Sequence, residues 1–392
     1  MGVLDLARTQ FAVTGSIHFL FVVLTLGLAP IIAIMHTRHA VTGRPEHERA
    51  TRFWGQIYVT NYALGVFTGL VMEFQFGLSW SGLSEYAGDV FGAPLAIETL
   101  GAFFLESTFL GLWIFGWNRL NRWAHLACIW MVTLTAYVSA FWIMVANSFL
   151  QNPVGAVERG GRLVLTDFGA LLSNPALVNS LPHVIGAGLW AAGSVVMGAS
   201  AYQLFRRTPE REFFTSALRT GLLVSFCGSL VTVAFGYAQF GAIGLYQPDK
   251  FRVPLAGIAL AAMMGIGQLA QFLLLLLAPL TYWLPRWRWA QPLLVILTPA
   301  PFLAAICGWL TREVGRQPWL INGRLTVADA MSHGLTPGMV TVSLVGFTGV
   351  LGLLAVTDYL LIARTVRRGP GTVALGADDE PAPAVLEPAL SH

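Results

Sequence analysis

Nine apolar runs of about 20 residues dominate this sequence, and that is the length an α-helix needs to cross the hydrocarbon core of a bilayer. They cover roughly residues 15–35, 53–76, 93–116, 123–147, 183–205, 221–240, 255–280, 292–310 and 338–362. The runs do not alternate apolar with polar residues, which excludes a β-barrel. Only 11% of the 392 residues are charged, against about a quarter in a soluble domain. A soluble enzyme, a disordered chain and a disulfide scaffold are therefore excluded. The expectation is all-α: a polytopic membrane helical bundle of about nine transmembrane helices, forming one domain over residues 1–370. The tail, 371–392, is rich in Pro, Ala, Asp and Glu and is expected to be a disordered cytoplasmic segment. No internal repeat supports the inverted halves of many transporters. Cys128, Cys227 and Cys307 lie inside apolar runs and read as packing residues. The first run has no small-residue cleavage site, so no cleavable leader is expected.

Basic residues set the orientation. Of 23 Lys and Arg, 15 fall in one set of links (residues 38–52, 119–122, 206–219, 286–288 and 364–368), and 8 in the other. The positive-inside rule then places the N-terminus outside and the C-terminus inside.

An ionisable group inside a span costs at least a few kcal/mol and needs a reason. The candidates are His18, Glu73, Glu98, Glu106, His183 and Asp358. No Lys or Arg lies deep in a span to neutralise the acids, which are expected to be neutral, hydrogen-bonded, or bound to a cation or metal. His18, one turn into the first run, reads either as an imidazole bonded to a neighbouring helix or as an axial haem ligand. His183 opens the fifth run behind Pro182, as an interfacial histidine or a ligand. On a regular helix, Glu98 and Glu106 lie about 80° apart and about 12 Å along the axis. They fit two stations of a proton relay or two separately capped acids. Glu73 reads equally well as an interfacial acid, and Met263 and Met264 more readily as core filler than as ligands. His36, His39, His47, His125, His333 and His392 fall at span ends, in links or in the tail, and read as solvated. Walker, dinucleotide and HExxH motifs are missing. A haem protein moving protons and a haem-free proton-coupled transporter both fit this pattern.

Longer segments narrow the choice. RTQFAVTGSIHFLFVVLTLG from Arg8, GLVMEFQFGLSWS from Gly69, FGAPLAIETLGAFFLESTFLGLWIFGW from Phe91, the Asn-Pro at Asn152–Pro153 and GRQPW at Gly315–Trp319 resemble subunit I of cytochrome bd-type terminal oxidases. The resemblance runs from Gly2 to about Pro370. It implies a respiratory oxidase of the bacterial cytoplasmic (inner) membrane that oxidises quinol and reduces O₂ to water. It also implies a low-spin haem b, a high-spin haem b, and a third haem that is d or b. A second helical subunit of the subunit II type, small single-span subunits and membrane lipid are the implied partners, and no nucleic acid is expected. By the same resemblance, His18 ligates a high-spin haem, His183 and Met263 ligate the low-spin haem, and Glu98 and Glu106 carry protons from inside. Asp358 stands where the family has a haem-ligating Glu.

The chain departs from the family in three further places. The long hydrophilic loop between the sixth and seventh spans is reduced to about residues 241–254. Lys250 resembles the lysine that opens this loop, and Lys250 and Asp249 are the candidate quinol contacts, reaching the head group from water. The acid expected five residues after the lysine is Leu255, and the arginine expected two residues before the haem-ligating methionine is Ala261. These changes leave an oxidase fed by a donor other than quinol as an alternative.

Overall fold

The computed structural model describes residues 2–376. Among these, nine helices are long and apolar enough to cross a membrane. They are α1 (Val3–Thr42), α2 (Pro45–Ser79), α3 (Ser81–Phe115), α4 (Arg122–Gln151), α5 (Pro175–Phe205), α6 (Arg211–Tyr246), α7 (Pro254–Leu277), α8 (Ala290–Val314) and α9 (Pro337–Arg368). Proline at the first turn starts α2, α5, α7 and α9, where its missing N–H costs nothing. The side chains of Asn121, Asn174 and Thr336 accept backbone N–H groups to cap α4, α5 and α9.

The helices run past the apolar runs that announce them, because capping residues and not the end of hydrophobicity stop them. Two expectations change as a result. His183 does not open a span: α5 begins at Pro175, Pro182 lies inside it, and His183 sits about 12 Å from its start. His18 is likewise not one turn in but about 22 Å from the start of α1.

Small residues bring the backbones of α1, α5 and α6 together. A Cβ on Gly27 would fall 1.9 Å from the Gly188 carbonyl oxygen, and one on Gly221 2.4 Å from the Met197 nitrogen. With no hydrophobic force between helices in lipid, such close approach is what holds them. Two short hairpins cover the arginine-poor end: β1 (Ala156–Arg159) with β2 (Arg162–Leu165), and β3 (Trp319–Ile321) with β4 (Leu325–Thr326).

At the arginine-rich end, His36 and His125 are buried, contrary to the solvated reading. Trp113 Nε1 donates to His36 Nδ1 at 3.1 Å, His125 Nε2 lies 2.7 Å from the Trp113 carbonyl oxygen, and the Arg52 guanidinium stacks on Trp117. Span ends bury their histidines here because the ends of α1, α3 and α4 meet over an aromatic cluster. Residues 371–376 pack on α2, with Arg52 Nη1 donating to the Gly376 carbonyl oxygen at 2.5 Å. The rest of the tail, including His392, lies outside the described residues.

Candidate functional site

A cavity of about 630 Å³ runs through the bundle. It is lined by His18, Glu73, Glu98, Glu106, His183, Lys250 and Met263, among others. Asp249 and Asp358 do not line it. Asp249 is exposed and pairs with Arg252 at 2.8 Å, while Asp358 is buried on α9 with Oδ1 unpartnered.

Both histidines have their outer ring nitrogen engaged. His183 Nδ1 lies 2.7 Å from the Thr232 carbonyl oxygen, which can only accept, so Nδ1 carries the proton and Nε2 the lone pair. His18 Nδ1 lies 2.8 Å from Thr68 Oγ1, and that hydroxyl gives its proton to the Gly65 carbonyl oxygen at 2.6 Å. The hydroxyl must therefore accept from the ring, and Nε2 of His18 is again the free base. A metal-bound imidazole is oriented by this kind of second hydrogen bond. Glycines keep space around the ligand candidates: a Cβ on Gly69 or Gly236 would crowd the His18 or His183 ring, and one on Gly308 would lie 2.9 Å from Met263 Sδ. Met263 sits about 14 Å from the start of α7, matching the depth of His183 in α5.

The two glutamates share the cavity through a change in helix winding. Residues Glu98–Phe103 form a π-helical segment of α3, which winds less per residue than a regular helix and moves Glu106 towards the face of Glu98. Ser139 Oγ donates to Glu98 Oε1 at 2.6 Å, and Thr99 Oγ1 lies within 3.3 Å of both Glu98 and Glu73. Tyr58 donates to Glu106 Oε1 at 3.4 Å. Among the described residues no ion pair includes Glu98, Glu106 or Asp358. Among the described residues, the hydrogen-bond donors to Glu98 and Glu106 are neutral hydroxyls.

Lys250 corrects the reading of a water-side contact. It is 5% exposed, and its ammonium spends its three donors on Gln151 Oε1 (3.1 Å), Gln247 Oε1 (2.9 Å) and the Arg312 carbonyl oxygen (3.0 Å). Burial, reinforced by the guanidiniums of Arg312 and Arg316, pulls it well below the ordinary lysine value. The lysine turns inward because α6 continues to Tyr246, leaving residues 247–253 as the whole link and not 241–254. Gly315 leaves room for its stem, since a Cβ there would lie 2.8 Å from Lys250 Cγ.

Sequence reasoning missed the partners of these groups. Thr68, Thr232, Ser139 and Tyr58 carry no sequence signal. Arg312, Glu313 and Arg316 carry one: charged residues close an apolar span with Glu and Arg at a spacing of i,i+3. Arg316 Nη2 donates to Glu313 Oε2 at 2.6 Å, and both residues are nearly buried.

The donor set fits haem. The cavity offers two imidazoles with free Nε2 atoms and one thioether. It also offers unpartnered donors at Trp309 Nε1 and at Arg316 Nε and Nη1.

A family model for cytochrome bd terminal oxidase subunit I matches residues 6–254 and 252–370, and the two stretches meet at the short link. Cytochrome bd ubiquinol oxidase subunit 1 of Bacillus subtilis (strain 168) is 34% identical over a gapped alignment 443 residues long, which covers 94% of each chain. Cytochrome bd-II ubiquinol oxidase subunit 1 of Escherichia coli (strain K12) is 45% identical over 266 residues, 67% of this chain and 50% of that one. In fold, the chain is similar to the bd oxidase from Geobacillus thermodenitrificans, with a TM-score of 0.85 and 23% identity over 94% of this chain and 99% of that one.

Proposed function

The chain belongs to the cytochrome bd terminal oxidase subunit I family, and from that premise we propose that it is the haem-carrying subunit of a quinol:O₂ oxidoreductase. The single observation that carries the reading is that His18 and His183 face one cavity with Nδ1 hydrogen-bonded and Nε2 free.

His183 and Met263 hold a low-spin haem b, and His18 holds a high-spin haem. Asp358, one methylene shorter than the family's Glu and outside the cavity lining, would be the acid that attends a third haem, d or b. Bound there, the haems would supply one-electron chemistry and the site at which O₂ is reduced to water. The chain's own residues do the rest. Thr68 and the Thr232 carbonyl fix the rings, the apolar walls exclude bulk water, and Glu106 and Glu98 pass protons from the arginine-rich side. Thr99 extends that polar line to Glu73. The complex lies in a bacterial inner membrane with a subunit of the subunit II type, and small single-span subunits and lipid cover its remaining apolar surface.

Quinol is the proposed donor, but the role of Lys250 shifts. With its three donors engaged inside the protein, it shapes the site and does not grip a head group from water. Asp249, exposed beside Arg252, is the remaining polar contact at the surface. The seven-residue link also favours a second reading, an oxidase fed by a different donor, because so short a segment covers little of a quinol ring.

Absorption spectroscopy and O₂ uptake by the purified complex test the proposal. Haem bands with quinol-driven uptake are expected. Haem bands with uptake driven only by a reduced redox protein would move the donor assignment to the second reading. A colourless complex would end the oxidase reading in favour of a haem-free proton-coupled transporter.

A further inference from the structure

Residues 278–289, the link between α7 and α8 at the arginine-rich end, carry no acid. They carry Arg286 and Arg288 among four aromatic side chains, Tyr282, Trp283, Trp287 and Trp289. Tyr282, Trp283 and Trp289 are exposed, and Trp289 stacks on Trp287 with ring centroids 5.6 Å apart. Exposed indoles at a span end sit where lipid head groups meet acyl chains. Arg288 ties the link to the end of α5, Nη2 donating to the Phe205 carbonyl oxygen at 3.2 Å.

Arg219 reaches the same link from α6. It lies about 12 Å inside the helix, and a helical side chain leans towards the N-terminus, here the water side. Its guanidinium carbon sits 4.8 Å from the centre of the Tyr282 ring, and its Nε is buried without a partner. Among the described residues no ion pair includes Arg219, Arg286 or Arg288. Helices α5 and α7 contain no acid, and Glu212 on α6 lies about 10 Å nearer water than Arg219. A guanidinium partly withdrawn from water with no counter-charge is costly. Deeper on the same face of α6, Leu223 and Leu230 are exposed, four and eleven residues on from Arg219.

We propose that this face binds one anionic phospholipid of the inner leaflet, with its phosphate on Arg219 and Arg286 and an acyl chain along Leu223 and Leu230. Guanidinium is suited to phosphate, and basic residues at this depth attract anionic lipid. A zwitterionic head group brings its own cation to a place where the arginines already supply one, so the site prefers net negative lipid. The assignment is independent of the haem reading, since none of its residues lines the central cavity.

The full complex is placed in nanodiscs of phosphatidylcholine mixed with phosphatidylglycerol, with bromine on the acyl chains of one lipid or the other. Bromine quenches tryptophan on contact, so brominated phosphatidylglycerol should quench more than brominated phosphatidylcholine, the excess coming from the indoles of the link. A free phosphate carries no bromine and gives no excess. Arg219→Gln should remove most of the excess, Arg219→Lys should keep it, and Arg286→Gln should reduce it. Arg38→Gln, at an exposed arginine of α1 at the same end, should leave it unchanged. Equal quenching by the two lipids in the parent complex overturns the proposal, and so does an excess that survives both Arg219→Gln and Arg286→Gln. Equal loss in Arg38→Gln overturns the site in favour of diffuse attraction to the whole basic end. Release of a partner subunit by Arg219→Gln, with equal quenching in the parent, would give the counter-charge to a protein acid instead. If Arg219→Gln does not assemble, Arg219→Lys and Arg286→Gln still decide, because the first must keep the excess and the second must reduce it.

Discussion

The Thr68 hydroxyl lies 2.8 Å from His18 Nδ1 while giving its own proton to the Gly65 carbonyl oxygen, so a residue on α2 sets the tautomer of a ring on α1. This makes Thr68 a positioning residue with a measurable effect. Thr68→Val keeps the shape and removes the acceptor. Loss of such an outer partner typically weakens metal binding about 10–100-fold, so the high-spin haem should be partly lost on purification while the low-spin bands stay. Thr68→Ser should restore it. A full haem complement in Thr68→Val would show that the ring is held by packing alone.

His18 and His183 should serve different haems. His183→Ala is expected to remove the low-spin signal and spare the O₂-binding haem, and His18→Ala to do the reverse. Spectra of the two purified variants decide the matter. Complete spectra in both would make both residues structural.

Among the described residues, Glu98 and Glu106 receive only hydroxyl donors, which suits groups that gain and lose protons. Glu98→Gln keeps the shape and the Ser139 contact but cannot carry a proton. O₂ uptake should fall by about 100-fold or more with haem retained, and Glu106→Gln should behave alike. Haem loss would point to a holding role, and unchanged turnover would take the residue off the path.

Where sequence reasoning succeeded and failed follows from the range of the forces involved. Nine spans were legible because a run of about 20 apolar residues is a local signal with one cheap outcome in a bilayer. Their ends were not, since α5 begins at Pro175, eight residues before the apolar run beginning at His183. His36 and His125 were misread for the same reason: three helix ends converge on Trp113 and Trp117, and no single segment announces that. Lys250 is the sharpest case. Besides Gln247, three residues away, its acceptors are Gln151 and the Arg312 carbonyl, 99 and 62 residues distant in the chain, so the local sequence does not distinguish a buried cation from a solvated one.

That network gives Lys250→Ala a predictable signature. Truncation leaves the amide oxygens of Gln151 and Gln247 unpaired in a buried place, at about 1–3 kcal/mol for each unsatisfied group, while the Arg312 carbonyl keeps Gln151 Nε2 at 3.5 Å. Thermal unfolding of the purified complex should therefore move down clearly. A variant of normal stability with a raised quinol KM would return Lys250 to the role of head-group contact.

Gly308 provides the test of the Met263 assignment. A Cβ at this position would lie 2.9 Å from Met263 Sδ, so Gly308→Ala must push the thioether aside. The substitution does not threaten α8 itself, because Ala is favoured over Gly inside a helix by about 1 kcal/mol. If Met263 is the second ligand of the haem on His183, displacing it leaves iron with one strong ligand. Low-spin bands should then give way to high-spin bands with total haem unchanged. Met263→Ala should produce the same spectrum, and the double variant should look like either single one. The neighbouring Met264 also lines the cavity, and it is the alternative thioether. Were it the ligand, Gly308→Ala and Met263→Ala would both keep low-spin bands, and Met264→Ala alone would lose them.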